Sequence, residues 1–189
     1  MGARWQSGNV TWTATYQRSR VRNPFERRVK SLATLIAEHP FLAGMKPAHL
    51  EVLCDCAMQT QFAKDQLIFR EGDLANRFYL IQEGRVALES RGDERTVLIQ
   101  TVGAGDVLGW SWLFPPYYWH FDARTLTPTR AIFFYGTRLR TQCEEDHEFG
   151  YELIKRMAEV IIRRLQATRL QSAASAINPV KTAQPCPRG

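Results

Sequence analysis

Five short apolar runs follow one another through the middle of the chain and constrain its fold more than any other feature. They occupy residues 66–69, 77–82, 85–89, 96–101 and 130–135. Glycine-containing turns separate them, the clearest at Gly72, Gly84, Gly92 and Gly105. Short strands at regular spacing are typical of antiparallel sandwiches and rolls. The sequence therefore predicts an α+β, mainly β fold built on an antiparallel, jelly-roll-like β-roll.

Helical periodicity appears on both sides of these runs. On the N-terminal side, one helix is expected to end before Pro40 and a second to open at Pro47, because proline restricts the residue before it and suits a first helical turn. After Asp146, an N-cap candidate, an apolar stripe predicts one long helix of about 25 residues. The stripe consists of Phe149, Leu153, Met157, Val160, Ile161 and Leu165. Its length favours pairing with a second copy, so we expect a homodimer.

These elements divide the chain into four parts. We predict a basic leader with little fixed structure at 1–25, helices and roll at 26–145, the long helix at 146–171 and a disordered tail at 172–189. The net charge of +6 comes from residues 1–30, which hold seven basic residues and one acidic residue. Such a leader could contact nucleic acid or an acidic membrane surface, or merely keep the protein soluble.

Several functional classes find no support in the sequence. No run approaches 18 uncharged apolar residues and no signal peptide is evident, so we expect a cytoplasmic protein without a membrane span. The four cysteines lack the spacing of zinc sites, and the four histidines are scattered. No catalytic triad, Cys/His pair or paired carboxylates stand out. We therefore predict no metal site, no required cofactor and no enzymatic activity.

The most distinctive segment begins at Gly103 and combines glycines with a dense aromatic cluster. Gly103, Gly105 and Gly109 suit sharp turns and a close backbone approach. Seven aromatic residues then occur between Trp110 and Phe121, with two prolines among them. Because an ordinary surface loop holds fewer aromatic side chains, the segment predicts either a shaped pocket or a contact surface.

Together, these motifs resemble the cyclic nucleotide-binding domain family. Residues 41–50 are similar to the helix that precedes its roll, and residues 67–73 with 78–86 to its strand, glycine turn and strand core. Residues 105–109, Gly-Asp-Val-Leu-Gly, are similar to the start of its phosphate-binding cassette. The helix after Asp146 resembles the dimer helix of the catabolite activator type. The resemblance covers about residues 40–170 and implies a regulatory fold with a small-molecule ligand.

The resemblance also implies where that ligand would bind. The cassette positions are Gly109, Trp110, Ser111, Trp112, Trp119 and His120. In the family, a glutamate after the cassette glycine accepts a hydrogen bond from the ribose, and an arginine about nine residues later pairs with the phosphate. Here Trp110 follows Gly109, the arginine position falls near Trp119, and no Arg or Lys lies between Arg95 and Arg124. We therefore expect no binding of cAMP or cGMP in the usual mode, and two interpretations remain open: a pocket filled by its own tryptophans, or one for a flat apolar ligand.

The functional hypothesis is a stand-alone regulatory or sensor domain with a degenerate cassette, which would move its long helix when residues 109–122 are occupied. Residues 172–189 are too few for the helix-turn-helix of the catabolite activator type, so we expect an unidentified protein partner rather than sequence-specific DNA binding. Two alternatives remain. One is a haem or redox sensor with His120 or a cysteine as axial ligand. The other is a pure protein–protein interaction module that uses the aromatic loop.

Overall fold

The computed structural model describes residues 30–92 and 96–177, with side chains to residue 169. The predicted leader at 1–25 and the tail from 178 onward lie outside the described residues. The helices are α1 (Leu32–Ala37), α2 (Pro47–Asp55), α3 (Gly136–Glu145) and α4 (His147–Ile177), with 3₁₀ helices at Pro40–Leu42 and Ser111–Leu113. The strands are β1 (Ala57–Phe62), β2 (Leu67–Phe69), β3 (Arg77–Glu83), β4 (Arg85–Arg91), β5 (Thr96–Gly103), β6 (Val107–Leu108), β7 (Asp122–Thr125) and β8 (Thr129–Tyr135).

The described strands form two four-stranded antiparallel sheets, in the orders β1-β8-β3-β6 and β2-β7-β4-β5. In the first sheet β8 pairs with both β1 and β3, and in the second β4 pairs with both β5 and β7. The predicted antiparallel β-roll with helices before it and one long helix after it is confirmed.

Two hydrophobic clusters hold these layers together. One lies between the two sheets and includes Tyr79, Ile81, Val86, Leu108 and Phe133. The second cluster, the helix-side core, packs the helices against the outer side of the first sheet. Its fully buried members include Ile36, Leu53, Phe78, Trp112, Phe134, Leu139, Phe149, Leu153 and Met157. Burial of this apolar surface is the main contribution that fixes α4 on the roll.

The long helix begins where the sequence predicts and ends later. The Asp146 carboxylate accepts hydrogen bonds from the backbone N–H groups of Phe149 and Glu148, both at 3.0 Å, and these bonds lower the pKa of Asp146. The helix ends at Ile177 rather than near 171, so residues 172–177 are helical instead of part of a disordered tail.

The stripe assigned to a dimer interface requires a correction. Phe149, Leu153, Met157 and Val160 are buried within the single chain, against the roll and the N-terminal helices. They cannot face a second copy while they hold this core. The remaining two, Ile161 and Leu165, are half-buried and exposed respectively. The periodicity detected the inward face of α4, whereas pairing with a second copy stays a prediction.

Candidate ligand-binding site

The cassette segment leaves the roll at Gly109, directly after β6. Gly109 has φ of +81°, a left-handed conformation that side chains disfavour. A Cβ atom there would also lie 2.7 Å from Cζ3 of Trp119 and 3.3 Å from the carbonyl oxygen of Arg77. Glycine is therefore required both for the turn and for the close approach of the Trp119 ring.

Trp119 is held in place through its ring and its backbone. The ring stacks on Phe69 of β2, with centroids 3.9 Å apart and planes 13° apart, and the residue is only 5% exposed. Its N–H donates to the carbonyl oxygen of Asp73, and its own carbonyl oxygen accepts from the N–H of Gly72, both at 2.9 Å. The ring is thus fixed inside the roll, next to the cassette glycine.

A second stacked pair closes the outer side of the segment. Trp110 stacks on His120, with centroids 5.6 Å apart and planes 14° apart. Oγ of Ser111 lies 3.0 Å from Nδ1 of His120, within hydrogen-bond distance. Ser111 itself is buried, so its hydroxyl faces the imidazole ring rather than open solvent.

These side chains leave very little space. The cavity that remains has a volume of about 20 Å³, room for roughly one water molecule. Five of the six predicted cassette residues line it: Gly109, Trp110, Ser111, Trp119 and His120. Trp112 does not. Its fully buried ring belongs to the helix-side core, beside Phe78 and beneath Gly136. We therefore remove Trp112 from the candidate site.

The roll and its cassette match a known protein family. Residues 59–146 match the family model described as "Cyclic nucleotide-binding domain". This segment belongs to the cyclic nucleotide-binding domain family. The predicted resemblance is thereby confirmed.

Relatives of this cyclic nucleotide-binding domain include regulators and solved single domains. The chain is 27% identical over 135 residues to the CRP-like cAMP-activated global transcriptional regulator of Mycobacterium tuberculosis, covering 71% of this chain and 58% of that protein. It thus spans somewhat more than half the length of that relative. A putative cyclic nucleotide-binding protein from Geobacter metallireducens has 29% identity and a TM-score of 0.61 over 66% of this chain and 91% of that one. A cyclic nucleotide-binding domain from Methylobacillus flagellatus reaches a TM-score of 0.68 at 16% identity, over 78% and 86% of the two chains.

One residue of the cyclic nucleotide-binding domain's cavity was missed by the sequence reasoning. Arg164 reaches the cassette cavity from α4, and its guanidinium donates a hydrogen bond to the carbonyl oxygen of Val107. Burial lowers the pKa of Arg164, and the nearby charge of Asp106 raises it. The available signal was spacing, because residue 164 follows the buried Val160 by four positions and lies on the same helix face.

Other kinds of site receive no support from the described residues. Residues 30–92 and 96–177 contain no group of three or more His, Cys, Asp or Glu side chains placed to hold a metal ion. Cys54, Cys56 and Cys143 are free thiols, and burial raises the pKa of each, to about 11 for Cys143. Within the part of the chain that the structure covers, every helix is too short or too polar to cross a bilayer.

Proposed function

We propose that this chain is a cytoplasmic regulatory domain whose cassette is closed by its own Trp119, so that it does not bind cAMP or cGMP in the usual mode. The observation that carries the proposal is the cavity of about 20 Å³ behind the stacked Trp119 and Phe69 rings. Pockets that bind small ligands measure on the order of 300–1,000 Å³. A nucleotide could enter only if Trp119 left the roll.

The charges around the cassette also support this proposal. Trp110 stands where the family has a glutamate, and Trp119 lies near the position of its phosphate-binding arginine. Arg164 brings a guanidinium to the cavity, but the space beside it measures only about 20 Å³. A cyclic phosphate buried here would lie mostly among aromatic rings, which is costly.

The contact between Arg164 and Val107 also suggests how the domain would transmit a signal. Val107 belongs to β6, the strand that leads directly into Gly109 and the cassette. A ligand or partner that displaced Trp119 would disturb this strand, and Arg164 would pass the change to α4. No cofactor is part of this mechanism.

We further propose that the domain acts as a homodimer through the outward face of α4. Tyr151, Ile154, Ile162 and Leu165 are exposed on this helix at spacings of three, eight and three residues. This spacing places them along one side of the helix, opposite the buried stripe. A row of large exposed apolar residues on one helix face fits a second copy of the same helix.

Ligand titration tests the closed cassette. Purified protein is heated with cAMP, cGMP or a cyclic dinucleotide, each to about millimolar concentration, and the melting temperature is recorded. A ligand at 100 times its Kd stabilises by about 2.7 kcal/mol, which shifts the melting temperature by several degrees. We expect no shift with cAMP or cGMP, and a clear shift with either would refute the closed cassette.

A matched pair of variants tests the dimer. Leu165 on α4 and Leu98 on β5 are exposed to a similar extent, 54% and 58%. Light scattering after gel filtration should show a dimer for the wild type and for Leu98→Glu, and a monomer for Leu165→Glu. A monomeric wild type, or equal dissociation of both variants, would reject the interface.

The exposed edge of the aromatic segment favours partner binding as a second candidate function. Leu74, Phe114 and Tyr118 are exposed large apolar residues, and Leu74 forms an isolated β-bridge with Tyr118. Tyr118→Ser should weaken capture of a protein partner without lowering the melting temperature, since this side chain lies outside both hydrophobic clusters. The haem alternative is not supported, because a cavity of about 20 Å³ has no room for the macrocycle.

A further inference from the structure

A second, larger cavity lies beside the roll, where α4 passes the β5–β6 turn. Its volume is about 290 Å³, close to the lower end of typical small-ligand pockets. It opens between α4, the first 3₁₀ helix and the strand β5. The lining residues that matter here are Phe41, Gln100, Asp106, Arg163, Arg164 and Ala167. None of the predicted cassette residues belongs to it.

The cavity carries more positive than negative charge. Arg163 and Arg164, adjacent on α4, both line it, and neither forms an ion pair with a carboxylate among the described residues. Asp106 is the acidic residue in the lining, and its Oδ2 already accepts a hydrogen bond of 2.8 Å from the N–H of Gly103.

Arg164 is only partly exposed to solvent, which makes this excess charge unfavourable. Burial lowers the pKa of Arg164, and the neighbouring charge of Arg163 lowers it further, against the opposing effect of Asp106. A guanidinium carries five N–H donors, whereas Arg164 has Val107 O as its hydrogen-bond acceptor among the described residues. A desolvated charge without an ionic partner is costly, so an anion in the cavity would stabilise this arrangement.

The apolar part of the lining indicates which anion fits. Pro40 and Phe41 of the first 3₁₀ helix, and Val160 one turn before the two arginines on α4, add apolar surface to the cavity. A phosphate monoester carries up to two negative charges and matches the fork geometry of arginine. We propose that this cavity binds a small organic phosphomonoester, with its phosphate on Arg163 and Arg164 and its organic part against Phe41 and Val160. The site goes beyond the proposed function, because it shares Arg164 with the cassette cavity but contains none of the predicted cassette residues.

Calorimetric titration with phenyl phosphate, to about 10 mM at constant ionic strength, tests the site in the full chain. Arg163 is exposed, so Arg163→Gln should fold, and we expect it to bind at least about 10-fold more weakly than the wild type. Ala167→Phe keeps both charges but fills the cavity, and should weaken binding as well. Arg130→Gln is the matched control, since Arg130 is an exposed arginine on β8 that pairs with Glu83. It should bind like the wild type.

Further ligands and one further variant distinguish this site from the cassette and from nonspecific attraction of anions. Inorganic phosphate should bind more weakly than phenyl phosphate, because it lacks the apolar part, and benzoate should bind more weakly because it carries one charge. Trp119→Ala should still bind phenyl phosphate, because the Trp119 ring does not line this cavity. The proposal is overturned if the wild type does not bind, if Arg130→Gln loses as much affinity as Arg163→Gln, if benzoate binds as tightly, or if Trp119→Ala abolishes binding, since the probe would then occupy the cassette.

Discussion

The two cavities that meet at Arg164 differ in both room and charge. The cassette cavity measures about 20 Å³ and is walled by stacked aromatic rings, whereas the cavity beside α4 measures about 290 Å³ and contains two guanidinium groups. The cassette segment nevertheless lies within the family match and turns at Gly109 in a left-handed conformation. The family fold thus fixes where the cassette lies, while side chains such as Trp119 set how much room remains in it.

The largest expected loss of stability comes from replacing Trp112, and it should exceed the loss from replacing Trp119. Trp112→Ala removes a fully buried ring from the helix-side core, so the free energy of unfolding should fall by about 3–5 kcal/mol. Trp119→Ala should cost less, because Trp119 lies outside both hydrophobic clusters. Urea denaturation followed by circular dichroism measures both. A smaller loss for Trp112→Ala than for Trp119→Ala would contradict the assignment of the two rings.

An intermediate loss of stability is expected for Gly109→Ala, and it tests whether the Trp119 ring fills the space beside Gly109. Gly109→Ala should cost about 1–3 kcal/mol, because the residue has positive φ and its new Cβ would meet the Trp119 ring at 2.7 Å. In a Trp119→Ala background the clash with the ring disappears, and the positive φ together with the 3.3 Å contact to the Arg77 carbonyl oxygen should leave a smaller cost, about 1 kcal/mol. Denaturation of the two single variants and the double variant gives the coupling energy. Strictly additive losses would show that the ring does not lie against Gly109.

The smallest effect concerns His39, which immediately precedes Pro40 and Phe41 in the lining of the cavity beside α4. His39 is buried, Nδ1 accepts from the N–H of Phe41 and Nε2 lies 3.3 Å from the carbonyl oxygen of Ile81. Burial lowers its pKa below the usual 6.5, although the bond to Ile81 and the charge of Asp106 oppose this shift. The folded state therefore keeps the ring neutral when the unfolded chain has already taken up a proton. Stability should be full above about pH 6.5 and decline as the pH falls below it.

Unfolding at about pH 7.5 and about pH 5.5 measures this dependence. His39→Gln should reduce the difference between the two conditions, because the titrating group is removed. His147→Gln, which changes an exposed histidine at the start of α4, should keep the wild-type difference. If both variants behave alike, the buried ring is not the source of the acid sensitivity.

The roll could be predicted from sequence because β2, β3, β4, β5 and β8 appear as short apolar runs and the turns between them contain glycine. The strands β1, β6 and β7 were not predicted: β6 has only two residues, and β1 has no fully buried position to create a pattern. Helix α3 was missed for a related reason, since Leu139 is its one large buried side chain and a single apolar residue gives no helical stripe.

The site was partly predictable for a different reason. The cassette motif located Gly109, Trp110, Ser111, Trp119 and His120, but Trp112 faces the core, because neighbouring positions of a short helix point in different directions. Arg164 lies far from the cassette in sequence, and only tertiary packing brings it there. The apolar stripe on α4 marked a buried face, but periodicity does not say whether the same chain or a second copy covers that face.

A crystal structure of the protein grown with about millimolar cAMP would show directly whether Trp119 closes the cassette. We expect Trp119 to remain stacked on Phe69, as at the present centroid distance of 3.9 Å, with no nucleotide between the ring and Gly109. A nucleotide in the cassette, with Trp119 displaced from the roll, would contradict it.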